Sequence, residues 1–542
     1  MTSSTLRFGP KELGFYYFGF ALVYLCGLFI PLMQNDSAQH ASMAMKMVLN
    51  NDFLNLYKGE NPYLDKPHMH FWLAALSMKV FGINHIAYRL PALLCILLAA
   101  YSAKKLSDLL YGNKVQGHLA ALIFLSAQTI VLSAHDVRTD AVLTGFVVFS
   151  VWKLVDWLKN GSMISAVVGG VAAAIAFSSK GLMPLVIIGF CVLAFMLYER
   201  NFRFLFSKGF LLVLLSFVLG ILPVLYAYYH QFGMEGIRFI LLGQSVARLT
   251  GDGFVANNSD YLFFFHTLLW VFLPFSLAFY FGVFRQSRIL IKEKFAKGAI
   301  KEFLTLGGFF FVLFVFSFSQ FKLPHYLNGL IPILAILTAR YLTVLKEEYR
   351  RKESAVLYGV QVALVVVGIL LFAWLSVDFT KGVHPALLVA SILFFGGLVY
   401  SHFRSASNLN KFITSALLFS LSINFFLNTQ FYPRLTSYQG SLTLAQWVKE
   451  QNIPLDQISI PKESEYWAFD FYTQRNTPRK EYSEMKSGDL LVIDKKLLEG
   501  FPLIFRVIKE ENDYRITRLT GKFLSSKTRD AQLSKMYLIE IQ

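Results

Sequence analysis

The sequence predicts a polytopic α-helical membrane protein with about 13 transmembrane helices and a small α/β domain at its C-terminal end. Three observations predict this class. Of 542 residues, 55% are hydrophobic and only 16% charged, whereas soluble domains carry about a quarter charged residues. Long apolar runs recur as far as residue 427, and ordinary composition returns only after it. The three cysteines, Cys26, Cys95 and Cys191, lie inside apolar runs, which excludes a disulfide framework and a cysteine zinc site.

A transmembrane helix needs about 20 mainly apolar residues, and thirteen runs approach that length. The runs cover residues 15–33, 86–103, 119–134, 141–157, 164–179, 182–198, 210–229, 262–283, 303–319, 327–344, 356–377, 386–400 and 412–427. The first run lacks a small-residue cleavage site, so we interpret it as an uncleaved span. An odd number of crossings predicts that the two ends of the chain lie on opposite sides of the membrane.

The positions of the charged residues predict the orientation, because basic loops stay in the cytoplasm. Alternate loops, starting from the N-terminal segment, hold 23 basic and 9 acidic residues, whereas the opposite loops hold 11 and 10. We therefore expect a cytoplasmic N-terminus and an outer C-terminal domain. Since topology explains most of the net charge of +17, we expect the lipid bilayer and no nucleic acid as a partner.

Two domains are predicted. Residues 1–430 form the transmembrane domain, which includes a long first outer loop, residues 34–85, with stretches suited to helices at the membrane interface. A second outer segment, residues 230–261, has little periodicity, and a mobile linker is the alternative to a functional loop there. Residues 431–542 form the outer α/β domain. Its predicted elements are a helix at 442–451 and strands at 457–460, 490–493, 503–508 and 536–541.

Ionisable residues at the outer ends of spans are the candidates for function, because charge near hydrocarbon is costly. Each has a simpler interpretation: Asp36 and Asp140 as helix caps, the basic residues as interfacial anchors. Together they predict an outward-facing, partly basic pocket suited to a phosphate-bearing amphiphile. The candidates stand in Gln34-Asn35-Asp36-Ser37, Asp65-Lys66-Pro67-His68, Arg89-Leu90-Pro91, His135-Asp136-Val137-Arg138-Thr139-Asp140, Ser179-Lys180-Gly181 and Lys322-Leu323-Pro324-His325.

These motifs, in this order, resemble the GT-C superfamily of integral-membrane glycosyltransferases, nearest to its aminoarabinose transferase and protein O-mannosyltransferase branch. Further matches are Tyr63 before Asp65-Lys66-Pro67, His266 before Trp270, and Phe469-Asp470-Phe471-Tyr472 near the end. The resemblance covers nearly the whole chain. Three positions depart from the family pattern: Ser37 replaces the usual acid, Gln39 the usual arginine, and Asp65 a glutamate.

The resemblance implies a polyprenyl-phosphate-linked sugar donor and transfer at the outer face of the bacterial inner membrane. The acceptor is a lipid A-like or other envelope glycolipid, a glycan or a protein, and we expect the enzyme to act as a monomer. Lys66, Arg138, Lys322 and His325 are predicted to bind the donor phosphate and to stabilise its developing charge. Asp36 is the candidate base for a hydroxyl acceptor, and Asp140 the second carboxylate of the pocket.

The resemblance also places a divalent metal ion, zinc, manganese or magnesium, at Asp65 and His266, since carboxylate and imidazole suit such ions. The competing class is a transporter or lipid flippase. Transporters usually have two similar halves and charges near the bilayer midplane, whereas here the candidates gather at one face and no internal repeat is visible. The sequence therefore favours an enzyme.

Overall fold

Helices dominate the computed structural model, which describes Leu6 and residues 8–250, 260–380, 384–404 and 407–542. The first helix precedes two helices on the predicted outer loop, joined by a short hairpin. In chain order they are α1 (Pro10–Leu28), α2 (Asp36–Asn50), β1 (Tyr57–Lys58), β2 (Asn61–Pro62) and α3 (Met69–Phe81). The two stretches predicted to lie along the interface are therefore helical.

Eight helices follow in the chain. They are α4 (His85–Tyr111), α5 (Lys114–Ser126), α6 (Gln128–His135), α7 (Thr139–Asn160), α8 (Met163–Lys180), α9 (Met183–Glu199), α10 (Lys208–Arg238) and α11 (Gln244–Thr250). The run predicted as one span at 119–134 bends by 58° between α5 and α6. Residues 230–250 are helical, whereas the sequence predicts a functional loop or a mobile linker there, and residues 251–259 lie outside the described residues.

Eight further helices lead to the C-terminal domain. They are α12 (Phe263–Val271), α13 (Ser276–Lys292), α14 (Leu304–Phe318), α15 (Ile331–Glu347), α16 (Arg351–Asp378), α17 (Pro385–Arg404), α18 (Asn408–Phe426) and α19 (Tyr432–Thr436). The run predicted as one span at 262–283 is two helices, α12 and α13. Pro332 lies in the first turn of α15, where its missing N–H costs no hydrogen bond.

Seven helices in the described ranges are long and apolar enough to cross a membrane, or up to eight if the bent pair α5 and α6 counts as one span. They include α4, α7, α8 and α16. The prediction of a polytopic helical membrane protein is confirmed, and the number thirteen stays a prediction.

A tight turn joins the end of α7 to the start of α8 and makes the two helices antiparallel. Gly161 ends α7 in the left-handed region, with φ of 71°, which glycine adopts without steric cost. The Ser162 side chain then accepts a hydrogen bond from the Ser165 N–H and caps α8. Because α7 and α8 run antiparallel and pack along their length, Asp140 at the start of α7 lies beside Lys180 at the end of α8.

The C-terminal segment forms a five-stranded sheet flanked by short helices. Strand order is β4-β3-β5-β7-β6, with β3 parallel to both β4 and β5, and β7 antiparallel to β5 and β6. The elements are α20 (Gly440–Glu450), β3 (Ile458–Pro461), α21 (Trp467–Thr473), β4 (Arg479–Lys480), β5 (Leu490–Asp494), α22 (Lys495–Leu498), β6 (Phe505–Asp513), α23 (Gly521–Leu524) and β7 (Ser534–Ile541). Buried aliphatic residues of β3, β5 and β7 form its core.

Candidate active site

The first group of the site joins Asp36 to Arg138, which lie 102 residues apart in the chain. Arg138 Nη1 lies 2.9 Å from Asp36 Oδ2, and Nη2 lies 3.2 Å from Asp136 Oδ2. Asn35 caps α2 by accepting a hydrogen bond from the Ser37 N–H, so Asp36 is not the cap. The Asp36 side chain is 55% exposed. An oriented, solvent-accessible carboxylate is what an incoming acceptor requires.

Charge balance keeps Arg138 ionised. Burial alone would lower the pKa of its guanidinium, but the carboxylates of Asp136 and Asp36 outweigh burial and raise that pKa. Asn35 Nδ2 donates to Asp136 Oδ1 at 3.0 Å, which fixes Asp136 and thereby Arg138. Arg138 is therefore a permanent cation next to Asp36.

Arg89, from the Arg-Leu-Pro motif, positions this first group. Its guanidinium is fully buried. Nε donates to the His135 carbonyl at 2.8 Å, and the terminal nitrogens donate to the carbonyls of Leu28, Ile30 and Pro31. One side chain thus ties the end of α1, which leads to Asp36, to the end of α6, which leads to Arg138.

The second group is a buried ion pair. Lys180 Nζ lies 2.6 Å from Asp140 Oδ1, and only 2% and 4% of these two side chains are exposed. His325 Nε2 lies 4.0 Å from Asp140 Oδ2. The α7 cap position is Arg138, without a side-chain cap, so the Asp140 side chain binds Lys180 rather than capping its helix. Asp140 acts here as the buried anion that holds Lys180 and His325 together.

His325 is neutral near pH 7. Burial lowers the pKa of its imidazole to about 3, although the Asp140 carboxylate acts in the opposite direction. The ring can therefore donate one hydrogen bond to a phosphate oxygen, but it contributes no positive charge. This refines the predicted role of His325, which included stabilising developing negative charge.

Lys66 lies near both groups and forms an ion pair with its neighbour Asp65. Its charge, with that of Arg138, acts on two buried imidazoles. After burial, which is the largest cause, both cations lower the pKa of His40 and of His325. The Lys66 and Arg138 charges therefore act on the same two imidazoles.

The loop that carries Lys66 is held by the extension of α10 and α11. Tyr228 Oη donates to the Leu64 carbonyl at 2.9 Å, and the Gln244 amide donates to the Asp65 carbonyl. The helical stretch that the sequence predicted as a loop is therefore one wall of the site. Its residues were missed because only this long-range contact gives them a role.

Lys322 belongs to a third group, at the edge of an aromatic groove. Lys322 Nζ donates to the Asp260 carbonyl at 2.9 Å and lies 5.4 Å from the centre of the Tyr261 ring. His266 Nε2 lies 2.7 Å from Asp260 Oδ2. Beside them lies an apolar groove of about 760 Å³, lined by Tyr261, Phe265, Phe310, Phe311, Leu313, Phe314, Ser317 and Phe318. Leu323 and Pro324, between Lys322 and His325, connect this groove to the second group.

Asp65 and His266 do not form a metal site as they stand. Asp65 binds Lys66, and His266 binds Asp260. Across the described part of the chain, no group of three His, Cys, Asp or Glu side chains has metal-binding geometry. We therefore derive no step through a metal, and the ion stays a prediction.

Lys180, Asp136 and Asp260 are the site residues to which the sequence assigned no role. Lys180 stood in a quoted motif, but its pairing with Asp140 depends on the antiparallel contact of α7 and α8. The available signal was a lysine and an aspartate at the outer ends of consecutive apolar runs. Such charges are tolerated near hydrocarbon when they pair with each other.

The C-terminal sheet domain packs against the segment before Asp36. The Leu32 N–H donates to Tyr472 Oη at 2.8 Å. Gln34 Oε1 accepts from the Ala468 N–H at 2.7 Å, and the Gln34 N–H donates to Gln439 Oε1 at 2.5 Å. Helix α21, which carries the Phe-Asp-Phe-Tyr motif, thus fixes the segment that leads into α2.

Comparisons with known proteins agree with this fold. Residues 65–227 match the family model described as dolichyl-phosphate-mannose-protein mannosyltransferase. An undecaprenyl phosphate-alpha-4-amino-4-deoxy-L-arabinose arabinosyl transferase 2 of Proteus mirabilis is 24% identical over 333 residues, covering 59% of this chain and 58% of that protein. A namesake from Pseudomonas fluorescens is 27% identical, covering 62% and 56%. The chain thus matches somewhat over half the length of these relatives.

Among solved structures, ArnT from Cupriavidus metallidurans bound to undecaprenyl phosphate has a similar fold. The TM-score is 0.73 at 14% identity, and the likeness covers 98% of each chain. The same protein in its apo state gives a TM-score of 0.70 at 16% identity, covering 97% of this chain and 98% of that one.

The comparisons confirm the resemblance to the GT-C integral-membrane glycosyltransferases that the motifs predicted. Within that class, the chain is similar in sequence and fold to aminoarabinose transferases: both relatives carry that name, and the similar solved structures are of ArnT.

Proposed function

We propose that this protein is an inverting glycosyltransferase of the bacterial inner membrane. It moves a sugar from an undecaprenyl-phosphate or similar polyprenyl-phosphate donor to a lipid A-like or other envelope glycolipid at the periplasmic face. The observation that carries the proposal is the accessible Asp36 carboxylate, held by Arg138, which lies two residues before Asp140 of the buried Asp140–Lys180 pair. The matched relatives are named for an undecaprenyl-phosphate-linked donor.

The donor's polyprenyl tail is assigned to the aromatic groove beside Lys322. The groove's lining is almost wholly apolar, and burying an isoprenoid chain there removes both surfaces from contact with polar groups. Lys322 at its edge then lies where the phosphate follows the tail. Lys66 and Arg138 supply further positive charge, and His325 a neutral hydrogen-bond donor.

In the proposed reaction, an acceptor oxygen attacks the anomeric carbon of the donor from the side opposite the lipid phosphate. The new carbon–oxygen bond forms as the bond to the phosphate oxygen breaks, so the centre inverts in one step. The lipid phosphate leaves as a stable dianion and needs no general acid. Lys66 and Arg138 stabilise the charge that develops on it.

Asp36 receives the proton when the acceptor is a hydroxyl group. Its carboxylate is exposed, and Arg138 fixes its orientation without covering it. When the acceptor is a phosphate, the nucleophile is already ionised, and Asp36 serves to orient it. The acceptor type therefore determines how much of the rate depends on Asp36.

The proposed topology follows the charge counts: a cytoplasmic N-terminus, with the C-terminal sheet domain in the periplasm. The proposed working form is a monomer.

A protein O-glycosyltransferase is the second candidate function. The match of residues 65–227 to a protein mannosyltransferase family model favours it. The two candidates use the same donor chemistry and differ in the acceptor.

Mass spectrometry of envelope lipids and glycoproteins tests both candidates. Cells with and without the gene are compared, and the deletion is complemented with the wild type, Asp36→Asn or Glu60→Gln. Glu60 is an exposed carboxylate of the outer hairpin and is the matched control. The first candidate is supported if a glycolipid loses its sugar in the deletion strain and in the Asp36→Asn strain but keeps it in the wild-type and Glu60→Gln strains. A glycoprotein that does so supports the second, and no difference in either fraction contradicts both.

A further inference from the structure

A second polar cavity lies at the other end of the bundle from the candidate active site. Its volume is about 640 Å³. It is enclosed by the C-terminal ends of α4, α9, α13 and α15 and by the segment between α13 and α14. Both α9 and α15 begin near the site and contain 17 residues, which corresponds to about 25 Å of helix. All the lining segments belong to loops or helix ends that the charge counts assign to the cytoplasm.

The cavity has more positive charge than its own carboxylates neutralise. Its basic residues are Arg285, Lys297, Lys301 and Arg340, and its acidic residues are Glu199, Glu302 and Glu348. Two ion pairs, Arg285 with Glu348 and Lys297 with Glu199, account for two residues of each sign. Two cations and one carboxylate remain.

The remaining carboxylate, Glu302, does not neutralise either cation. It is buried, and it accepts hydrogen bonds from Tyr111 Oη and from Thr305. Burial raises the pKa of Glu302. Its hydrogen-bonding capacity is thus directed inward, away from the two remaining cations.

Lys301 and Arg340 are the cations available to a ligand. Lys301 is exposed and has no ion-pair partner among the residues that the structure describes. Arg340 Nη1 lies 3.8 Å from Glu347 Oε2, which is too long for a hydrogen bond. The Arg340 guanidinium lies 5.4 Å from the centre of the Tyr111 ring, so it is held in place at the cavity wall. A preorganised guanidinium and a free ammonium suit a phosphate group.

The border of the cavity carries exposed apolar and basic side chains. The end of α13 and the turn after it expose Phe284, Ile291 and Phe295, next to the exposed cations Arg288 and Lys292. Exposed large apolar side chains interleaved with basic residues are typical of a segment at the headgroup level of a membrane. Basic pockets between helices on the cytoplasmic side bind anionic headgroups.

We propose that this cavity binds the phosphate of an anionic phospholipid headgroup from the cytoplasmic leaflet, through Lys301 and Arg340. Free inorganic phosphate has the same recognition chemistry, but it gains nothing from the exposed apolar residues at the border. The proposal does not depend on the glycosyltransferase function, because its ligand, its residues and its side of the membrane are all different.

Native mass spectrometry of the purified full-length protein in detergent tests the proposal. Phosphatidylglycerol and phosphatidylcholine are titrated separately, and thermal unfolding is followed in parallel. We expect phosphatidylglycerol to bind and to raise the unfolding temperature, and phosphatidylcholine to do neither. The variant Lys301→Gln/Arg340→Gln should lose roughly ten-fold in affinity for phosphatidylglycerol, since two charge-assisted contacts are removed.

The matched control is Arg288→Gln/Lys292→Gln, which removes the same charge from the same face but not from the cavity. Its affinity for phosphatidylglycerol should stay within about two-fold of the wild type, a small free-energy difference. Equal losses in the two double variants would overturn the proposal in favour of general surface attraction. Unchanged affinity in Lys301→Gln/Arg340→Gln would overturn it as well.

Two further arms complete the test. Lys301→Arg/Arg340→Lys keeps both charges and should retain binding, which separates a lost contact from a misfolded protein. If Lys301→Gln/Arg340→Gln does not fold, the exposed single change Lys301→Gln replaces it, with a several-fold loss expected. Millimolar inorganic phosphate is added without lipid. If phosphate alone raises the unfolding temperature as much as phosphatidylglycerol does, the lipid assignment is overturned and the ligand is a soluble anion.

Discussion

Lys180 Nζ lies 2.6 Å from Asp140 Oδ1 in a setting where neither side chain has contact with bulk solvent. The two residues stand at the adjoining ends of α7 and α8, 40 residues apart. Lys180 also lies 4.7 Å from the centre of the Tyr326 ring, next to His325. The pair therefore links the two helices to the segment that carries His325 and Lys322.

Removing Lys180 alone should destabilise the protein. Lys180→Met leaves the Asp140 carboxylate buried without a counter-ion, which typically costs about 3–5 kcal/mol. The double variant Asp140→Asn/Lys180→Met removes both charges and should recover most of the free energy of unfolding. Thermal and denaturant unfolding in detergent measure this. If Lys180→Met is as stable as the wild type, the pair is not the buried contact described here.

The sequence predicted the helical membrane class because the evidence for it is local. A run of about 20 apolar residues has few alternatives to crossing a bilayer. The same reasoning identified Asp36, Lys66, Arg138 and Asp140 as ionisable residues at span ends. It could not predict that Arg138 binds Asp36, because that contact depends on where α1 and α6 end relative to each other.

Contacts distant in sequence also explain where the prediction of elements was wrong. Residues 230–250 are helical because they pack on the first outer loop, with Gln231 Nε2 donating to the Leu56 carbonyl at 2.8 Å. A glycine-containing stretch without clear periodicity gives no local sign of such a contact. The kink at Gly233, with φ of 62°, divides the lipid-facing part of α10 from the part that covers the site.

Asp36→Asn should reduce turnover without reducing stability, because its side chain is exposed on the site. With a hydroxyl acceptor the loss should be about 10² to 10⁴, the usual contribution of a positioned base. With a phosphate acceptor it should be less than about 10-fold, since no proton is transferred to Asp36. Steady-state kinetics of the purified enzyme measure this, with Glu60→Gln as control. Unchanged turnover in both Asp36→Asn and Asp36→Ala would show that Asp36 has no role in the reaction.

Stability should fall as the pH is lowered from about 6.5 towards 4. Burial lowers the pKa of His68 to about 4 and that of His325 to about 3, whereas in the unfolded chain histidine has a pKa of about 6.5. Between these values the unfolded state binds more protons than the folded state, so the free energy of unfolding rises with pH. Each such histidine contributes up to about 1.4 kcal/mol per pH unit.

Unfolding in detergent at pH 4.5, 5.5, 6.5 and 7.5 measures this dependence. His325→Asn, which cannot titrate, should show a shallower dependence than the wild type. His384→Asn is the matched control, because His384 is exposed, and its dependence should equal that of the wild type. A stability that is flat from pH 7.5 to 4.5 would contradict the predicted protonation states.

Removing divalent ions tests the predicted pairing of Asp65 and His266 around a metal. Each residue already has a protein partner, Lys66 for Asp65 and Asp260 for His266. We therefore expect turnover and unfolding temperature to be unchanged after exhaustive dialysis against EDTA. Loss of turnover that zinc or manganese restores would show that the two side chains rearrange to hold an ion.

Arg89→Lys should impair both folding and catalysis, although the charge is kept. The guanidinium satisfies four carbonyls at once, those of His135, Leu28, Ile30 and Pro31, and a lysine ammonium cannot reproduce that planar fork. A buried carbonyl left without a donor costs about 1–3 kcal/mol, so the free energy of unfolding should fall by a few kcal/mol. Because the same contacts set where Asp36 meets Arg138, kcat should fall more than KM rises.

The control for Arg89→Lys is Arg138→Lys, which keeps a charge beside Asp36 but leaves the buried carbonyls satisfied. Lysine keeps the positive charge beside Asp36 and Asp136, so its effect on the free energy of unfolding should be smaller than that of Arg89→Lys. A difference in stability between the two variants, with reduced turnover in both, is the expected pattern. Equal stability would show that Arg89 does not hold the ends of α1 and α6 together, and that Asp36 and Arg138 are positioned by other contacts.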